Sequence, residues 1–412
     1  MKLLVVSDLH AYSVDPADGS RPSFMSTKDS SERSLGNSFL KLIQDGTIDK
    51  PDIIICPGDL GDKADATAIN YAWTFLKNLT ALSNKRLLLA ATGNHDLNSR
   101  YAGGAYDAKG QLLELLPVYP VLSNLTREIA ADVALQMRYW TWNFCSKIVG
   151  KVRFVVLNTS AFHGHGEGEL EHGRISDITL ASMKKNIKEE NSNLVAQGKS
   201  IPKLNVLICH HHLEKDGSIN DRDYSSISGA HALTQFLSDT DYGRWLVIHG
   251  HRHRARMFML GGQTGPVVLS SASLSATRDR DYDNTSPCQA HLVTLDFDAM
   301  QEHSFVPAGS VKSFTWVNAT GWDLSRSQDG GLPPDTGFGF RGSLDRLARD
   351  VATFINGRPL VPWSDVISEL PTIPFVTYSE LSELSKTLKN DYDLTVMFDS
   401  EKRPFQCGKT NA

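Results

Sequence analysis

The chain has 412 residues, of which 41% are hydrophobic and 22% are charged, as in proteins that bury a large core. Its net charge of -5 does not indicate a surface dedicated to nucleic acid or anionic lipid, although a local basic patch can outweigh the total. The five cysteines are dispersed without a CxxC pair, which favours a reducing compartment. Apolar runs are too short for a transmembrane helix, and the run before Asp8 is too short for a signal peptide. We therefore predict a cytoplasmic protein without a membrane segment.

Short apolar runs alternate with amphipathic stretches over about the first 300 residues, which predicts an α/β architecture. The apolar runs resemble strands buried on both faces, and they are Leu3–Ser7, Ile53–Pro57, Arg86–Ala91, Val152–Asn158, Leu204–Cys209 and Trp245–His249. Apolar residues recur at helical spacing between them, in Ser34–Gln44, Asp65–Leu82, Asp177–Glu190 and Gly229–Ser238.

The last part of the chain divides into three kinds of segment. Further β-like runs predict a second sheet that closes the domain, and they are Pro266–Ser271, His291–Phe297 and Ser313–Val317. Residues 325–342 are rich in Gly, Pro and Asp and are predicted to be a linker, so the main domain would span residues 1–324. Two amphipathic segments follow, Ser343–Asn356 and Tyr378–Asn390. They predict a small helical module or docking tail over residues 343–412.

Polar clusters follow the predicted strands at the points where these end. The clusters are Asp8-Leu9-His10, Gly58-Asp59, Gly93-Asn94-His95-Asp96, His210-His211-His212 and Gly250-His251-Arg252-His253. Ligands of open α/β sheets collect outside the carboxyl ends of strands, so the five loops should converge. Carboxylate, imidazole and amide groups are ligands of divalent ions such as Mn, Fe and Zn. Seven such groups exceed the four of a structural zinc site, and one carboxylate can bridge two ions, which favours a two-metal site.

The order DxH, GD, GNHD, H and GHxH resembles the calcineurin-like metallophosphoesterases over about residues 1–300. The resemblance implies a four-layer αββα sandwich of two mixed sheets, here with a small C-terminal helical extension. It implies one metal on Asp8, His10 and His253, another on Asn94, His210 and His251, and Asp59 as the bridge. It also implies that His95, oriented by Asp96, faces the phosphate and assists departure of the leaving oxygen.

One ligand position stays open. The family usually places Pro after the histidines of the fourth motif, whereas this chain has Leu213 after His212. His210 is the first choice because it lies closest to the strand end, and His211 is the main alternative.

The third and second motifs favour one branch of the family. Gly61-Asp62 and Asp96 differ from the serine/threonine protein phosphatases and are similar to cyclic-nucleotide phosphodiesterases and DNA-repair nucleases. We therefore predict hydrolysis of a phosphodiester, a cyclic nucleotide or a nucleic acid, by attack of a metal-bound hydroxide. Mn²⁺ is the first choice, with Fe, Zn, Co or Ni as alternatives. The alternative functions are a nuclease subunit of a larger complex, with the C-terminal tail contacting a protein partner, and a phosphomonoesterase or protein phosphatase.

Three further segments have two interpretations each. The histidine-rich loop Phe162–Arg174 is interpreted as a substrate-facing loop in preference to another metal site, because its glycines disrupt regular structure. The stretch Ala11–Asn37 is either a disordered surface insertion or a lid whose cations meet phosphate. Arg252–Arg256 and Arg278–Arg280 are either solvated surface or a basic rim for a nucleic-acid backbone.

Overall fold

Two large mixed sheets with flanking helices, followed by a smaller module, make up the computed structural model. It describes residues 1–98, 105–116, 121–123, 129–165, 172–214, 226–262, 264–277, 287–326 and 330–410. The strands are β1 (Lys2–Val5), β2 (Ile53–Cys56), β3 (Leu87–Ala90), β4 (Val121–Ser123), β5 (Phe144–Val149), β6 (Val152–Leu157), β7 (Leu204–Ile208), β8 (Trp245–His249), β9 (Arg256–Met259), β10 (Val267–Ser270), β11 (Cys288–Leu295), β12 (Gly309–Val317), β13 (Gly321–Leu324), β14 (Asp335–Phe338), β15 (Leu360–Pro362), β16 (Leu394–Phe398) and β17 (Pro404–Lys409). The helices are α1 (Leu35–Gln44), α2 (Ala66–Leu82), α3 (Ala105–Leu115), α4 (Ile129–Trp142), α5 (Asp177–Ala196), α6 (Ala230–Ser238), α7 (Phe297–Glu302), α8 (Leu344–Ile355), α9 (Trp363–Glu369) and α10 (Tyr378–Tyr392).

The strand order confirms the predicted sandwich of two mixed sheets. In the first sheet the order is β13-β12-β11-β1-β2-β3-β4, with β14 paired to β12. In the second sheet the order is β5-β6-β7-β8-β10-β9. The strands β1, β2 and β3 run parallel, as do β6, β7 and β8. The carboxyl ends of the parallel strands in each sheet therefore lie at one edge of that sheet.

The central strands are apolar along their whole length because both faces are covered. All residues of β2, β3 and β7 are buried. Arg153 in β6 is the charged exception, with 2% of its surface exposed. Its guanidinium donates to Glu190 at 2.8 Å, Asn191 at 2.6 Å and Asn205 at 3.0 Å. These partners compensate its burial, since an unpaired buried charge would be strongly destabilising.

Side-chain caps explain where the predicted helices begin. The Ser34 side chain accepts from the Asn37 N–H at 3.3 Å before α1, and Asp65 accepts from Ala68 N–H at 3.1 Å before α2. Asp65 also accepts from the Ser13 N–H at 3.0 Å, which fixes the loop after β1 against α2. Among the helices of the described ranges, none is long and apolar enough to cross a membrane.

The prediction that three late strands form one closing sheet is wrong. β10 pairs with β8 inside the second sheet, whereas β11 and β12 extend the first sheet beside β1. Leu3 lies opposite Val293 in that pairing, at a separation of 290 positions along the chain. An apolar run indicates a buried strand but not its neighbour, because pairing is decided by tertiary packing.

The C-terminal module contains the predicted helices and a sheet that the sequence did not indicate. Helix α8 follows the cap Ser343, and α10 begins with a capping box between Thr377 and Glu380. The three-stranded sheet has the order β15-β17-β16. Strand β14 lies within the predicted linker 325–342 and pairs with β12. The domain boundaries stay predictions.

An aromatic cluster joins this module to the two-sheet domain. The ring centroid of Phe305 lies 5.8 Å from that of Phe340 and 6.4 Å from that of Phe375. The Phe340 N–H donates to the Phe375 carbonyl at 3.0 Å, and Arg341 donates to the Val306 carbonyl at 2.9 Å. The module is therefore packed against the domain through buried side chains.

Replacement of a ring in this cluster should lower the stability of the protein. We expect Phe375→Ala to reduce the free energy of unfolding by about 3 kcal/mol, because it leaves a cavity between two packed units. Chemical denaturation measures this change. Phe405→Ala is the matched control, since Phe405 is 48% exposed and its loss should change stability by less than about 0.5 kcal/mol. Equal effects of the two variants would contradict the packing described here.

Candidate metal centre

The predicted ligand residues come together at the carboxyl ends of five parallel strands. Asp8 and His10 follow β1, Asp59 follows β2, Asn94 follows β3, His210 follows β7, and His251 and His253 follow β8. The loop backbones are tied to one another, since the Asp8 N–H donates to the Gly58 carbonyl and the His10 N–H to the Asp59 carbonyl, both at 3.0 Å. The first and second sheets thus contribute to one site.

The backbone at this site is unusual. Five of the seven predicted ligands have a positive φ, and they are Asp8 (53°), His10 (43°), Asp59 (54°), His251 (76°) and His253 (55°). This left-handed conformation is uncommon for residues with a side chain and costs about 1–3 kcal/mol each. Such a concentration of strained residues is typical of a functional site.

The first cluster is formed by Asp8, His10 and His253. The Nε2 atoms of His10 and His253 lie 3.1 Å apart, and Nε2 of His253 lies 3.4 Å from Oδ1 of Asp8. Oδ1 of Asp8 also accepts from the His251 N–H at 3.0 Å, and Oδ2 accepts from the Ser7 hydroxyl. These contacts fix the carboxylate in the position where the two imidazoles face it.

The second cluster is formed by Asn94, His210 and His251. Oδ1 of Asn94 lies 2.9 Å from Nε2 of His210 and 3.1 Å from Nδ1 of His251. The two ring nitrogens are themselves 3.1 Å apart. On its other side, Nδ1 of His210 lies 3.2 Å from the carbonyl of Pro57, to which it can donate. That hydrogen bond leaves the Nε2 lone pair directed at the cluster.

Asp59 connects the two clusters. Its Oδ2 atom lies 3.5 Å from Nε2 of His10 and 3.3 Å from Nε2 of His210. Its Oδ1 atom accepts from the backbone N–H of His95 at 2.8 Å. One carboxylate oxygen is therefore shared by an imidazole of each cluster, as a bridging ligand requires.

The geometry distinguishes His210 from His211. Nδ1 of His211 lies 2.8 Å from the Thr159 hydroxyl, and the ring is fully buried. A ring nitrogen of His211 lies within 4.8 Å of ligand atoms of His210 and His251, but it is His210 whose Nε2 lies 3.3 Å from the Asp59 carboxylate. The contacts with Asp59 and Asn94 favour His210 as the ligand.

These seven side chains fit a pair of divalent cations. The ring nitrogens of His10 and His253 lie 3.1 Å apart, as do those of His210 and His251, and the Asn94 oxygen lies 3.1 Å from His251; a cation can accept the lone pairs of such closely spaced donors. Burial lowers the pKa of His10 to about 3, which keeps its nitrogens available as ligands. Burial also raises the pKa of Asp59, but the charges of His210 and His95 hold it well below its ordinary value.

Two glycines make room for the carboxylates. A Cβ atom at Gly93 would overlap the Asp59 carboxylate, and one at Gly250 would overlap the Asp8 carboxylate. The loops can therefore close around the acidic groups only where these positions lack a side chain.

The His95 ring contacts Asp62, whereas the motif predicted Asp96 as the residue that orients it. Nδ1 of His95 lies 3.0 Å from Oδ1 of Asp62, a residue to which the sequence assigned no role. Burial lowers the pKa of His95, but the charge of Asp59 and the hydrogen bond with Asp62 raise it above its ordinary value. The sequence signal that could have identified this partner of His95 was Asp62 itself, an acidic residue three positions after Asp59 in the same loop.

Asp96 instead holds the loop backbones together. Its carboxylate accepts the N–H groups of Asp59 at 3.1 Å, Leu60 at 2.6 Å, Gly61 at 3.4 Å and Gly93 at 2.8 Å. Burial and the charge of Asp59 raise the pKa of Asp96 to about 6, against the lowering effect of the backbone donors.

The other segments singled out in the sequence have different outcomes. Residues 166–171 of the histidine-rich loop and the cluster Arg278–Arg280 lie outside the described residues. His163 is buried and stacks on His211 with centroids 5.4 Å apart, so this end of the loop packs against the site. The stretch Ala11–Asn37 is not disordered throughout, since Met25 is buried and the Phe24 N–H donates to the Ser275 carbonyl at 2.8 Å.

Comparison with known proteins identifies the family. Residues 1–255 match the model of the calcineurin-like phosphoesterases. The chain belongs to this family. A second match covers residues 336–390 and is described as wHTH-Calcineurin_assc, a winged helix-turn-helix module. A search of the curated proteins gives no match.

Several solved structures are similar to this chain. A dimetal phosphatase from Danio rerio has 11% identity, covers 76% of this chain and 95% of its own, and gives a TM-score of 0.43. A purple acid phosphatase from yellow lupin (Lupinus luteus) seeds has 14% identity, with 78% and 52% coverage and a TM-score of 0.47. This chain thus spans about half the length of the lupin protein. Vps29 complexed with zinc from Entamoeba histolytica has 11% identity, 79% and 97% coverage, and a TM-score of 0.32.

Proposed function

We propose that this calcineurin-like phosphoesterase is a cytoplasmic two-metal phosphodiesterase. The observation that carries the proposal is the position of Asp59, whose Oδ2 atom lies within 3.5 Å of an imidazole from each of two ligand clusters. The diester preference is supported by Asp62 and Asp96, whose sequence context differs from that of protein phosphatases. The cytoplasmic assignment is supported by the five cysteines, which are buried and form no disulfide in the part of the chain that the structure describes.

Each ligand has a defined role in the proposal. Asp8, His10 and His253 would hold one ion, Asn94, His210 and His251 the other, and Asp59 both. The donors are oxygen and nitrogen without a thiolate, which suits Mn²⁺ first and also Fe, Zn, Co or Ni. Two divalent cations at such a site would supply positive charge for the phosphate oxygens and acidify the attacking water.

His95, oriented by Asp62, would supply the proton that the leaving group takes up. The His95 side chain is 28% exposed and its ring contacts the His10 ring edge-on, with centroids 4.7 Å apart. An imidazole that donates from Nδ1 to Asp62 keeps Nε2 for the substrate. In its doubly protonated form, which the raised pKa favours, His95 would then donate the Nε2 proton to the departing alkoxide as the P–O ester bond breaks, and a neutral imidazole would remain.

Removal of the Asp62 charge should slow the reaction without loss of metal. We expect Asp62→Asn to lower kcat about 10–100-fold, because His95 loses the partner that fixes its tautomer and orientation. Steady-state kinetics with metal analysis measures both quantities. In a His95→Ala background the same change should have little further effect, since the two residues act together. If Asp62→Asn lowered kcat by the same factor with and without His95, the positioning role of Asp62 would be contradicted.

A panel of phosphate esters tests the substrate class. We expect bis-p-nitrophenyl phosphate to be hydrolysed with a kcat/KM at least about tenfold above that of p-nitrophenyl phosphate. Cyclic nucleotides and single- and double-stranded oligonucleotides then separate the two diester classes. His251→Ala, which removes one proposed ligand, controls for contaminating activity. A preference for the monoester would instead establish a phosphomonoesterase or protein phosphatase.

The C-terminal module favours a second candidate function. Its match to a winged helix-turn-helix model and its packing through Phe340 and Phe375 suggest an attached recognition module of a nuclease complex. A protein partner would then contact the module. Size-exclusion chromatography of the protein, alone and with cell extract, tests this: an unchanged elution volume would count against the complex.

A further inference from the structure

A cavity apart from the metal centre is lined entirely by residues of the C-terminal module. It has a volume of about 340 Å³ and lies between the last turns of α8, the turn that follows, the end of α10 and the strands β16 and β17. Arg349, Ala352 and Thr353 line it from one face of α8, while Leu347 and Val351 on another face enter the core. Ile355 lines it at the last residue of the helix, and Asn356 follows just beyond the helix end.

The charged residues that line the cavity are all cations. Arg349, Arg358 and Lys409 line it, and no carboxylate does. Within the described ranges these three cations form no ion pair with another side chain. The guanidinium of Arg358 lies 4.4 Å from the ring centroid of Phe354, which restricts its orientation. All three side chains are exposed, so they can meet an anion from solution, above all phosphate.

The acidic residues of the neighbourhood do not line the cavity. Asp391 and Asp393 flank Tyr392 in the chain, yet only Tyr392 belongs to the lining. Asp350 lies 3.9 Å from Arg346 on another side of α8. The charge that borders the cavity is therefore positive.

The rest of the lining is suited to a flat apolar group. Ile355 and Leu394 are buried beside Tyr392, and together they form an apolar wall. Ligand sites commonly have volumes of about 300–1,000 Å³, with apolar walls and a few placed polar groups. A nucleotide combines a planar base, which suits the apolar wall, with phosphate, which suits the lining cations.

Nucleic acid is a weaker match to the module. In a helix-turn-helix the second helix enters the major groove, and here that helix is α10. Its exposed charged residues are of both signs, namely Glu383, Lys386, Lys389 and Asp391. A surface that contacts the phosphate backbone would need an excess of cations.

We propose that this cavity binds a nucleotide, with its phosphates on Arg349, Arg358 and Lys409 and its base against Tyr392. Such binding is independent of the metal centre. It would give the winged helix module a ligand-sensing function that accompanies hydrolysis.

Isothermal titration of the full-length protein with ADP tests the proposal, with pyrophosphate and adenosine as partial ligands. We expect Arg358→Glu and Arg349→Glu each to weaken ADP binding about tenfold or more, since each removes a charge-assisted hydrogen bond. Lys386→Glu is the matched control, a charge reversal on α10 outside the cavity, and should change the affinity less than about twofold. Adenosine should bind at least about tenfold more weakly than ADP, because it lacks the phosphates.

Three results would overturn the proposal. One is the absence of ADP binding to the folded protein. Another is ADP binding that is lost in His251→Ala but retained in Arg358→Glu, which would place the nucleotide at the metal centre. The third is preferential binding of a duplex oligonucleotide that depends on Lys386 and Lys389, which would assign the module to nucleic acid. Thermal unfolding of each variant confirms that the module remains folded.

Discussion

Asp59→Asn should abolish phosphodiester hydrolysis while the protein stays folded. Oδ2 of Asp59 is the atom that approaches His10 and His210 together, and an amide nitrogen in its place would direct protons at both imidazoles. The amide oxygen can still accept from the His95 N–H, so the loop should keep its conformation. We expect kcat/KM to fall at least about 10³-fold, because both ions lose their shared ligand.

The measurement combines diester hydrolysis, metal content and the circular dichroism spectrum of purified protein. Asp49→Asn is the matched control, because Asp49 pairs with Lys2 on the surface, with its side chain 53% exposed. The control should keep full activity. Wild-type rates in Asp59→Asn, with metal content unchanged, would refute the bridging role.

Asp96→Ala should destabilise the fold more than any other single change discussed here. The Asp96 carboxylate is buried and accepts four backbone N–H groups from the loops that carry Asp59 and Asn94. Alanine would leave these donors without an acceptor at a position where Asp96 is only 2% exposed. We expect the free energy of unfolding to fall by about 4 kcal/mol, as for the loss of a buried hydrogen-bond network.

Urea unfolding of Asp96→Ala and Asp49→Ala gives the comparison. The surface ion pair of Asp49 contributes about 0–1 kcal/mol, so that variant should unfold close to the wild type. If Asp96→Ala were as stable as Asp49→Ala, the carboxylate would not be the anchor of these loops.

The sequence predicted which residues come together in the candidate metal centre because their positions obey a simple rule of geometry. Asp8, Asp59, Asn94, His210 and His251 each follow an apolar strand, and the carboxyl ends of parallel strands share an edge. Element types and helix starts were predicted for similar reasons, since apolar periodicity and capping residues are local signals. The strand end alone favoured His210 over His211, and the contacts with Asp59 and Asn94 add three-dimensional support for that choice.

Long-range pairings explain what the sequence could not predict. The His95–Asp62 contact joins two loops across 33 positions, and either Asp62 or Asp96 is a plausible partner from the motif alone. The pairing of β11 with β1 crosses most of the chain. The sheet of the C-terminal module escaped detection because β15 has three residues and β16 and β17 have five and six. Runs this short give weak periodicity.

Metal content measured together with activity tests the central proposal most directly. The protein is stripped with a chelator, titrated with Mn²⁺ and analysed for bound metal and for hydrolysis of bis-p-nitrophenyl phosphate at each step. We expect no hydrolysis in the stripped protein and full activity as occupancy reaches about two ions per chain. Undiminished hydrolysis by protein that holds less than about 0.1 ion per chain would contradict the two-metal site.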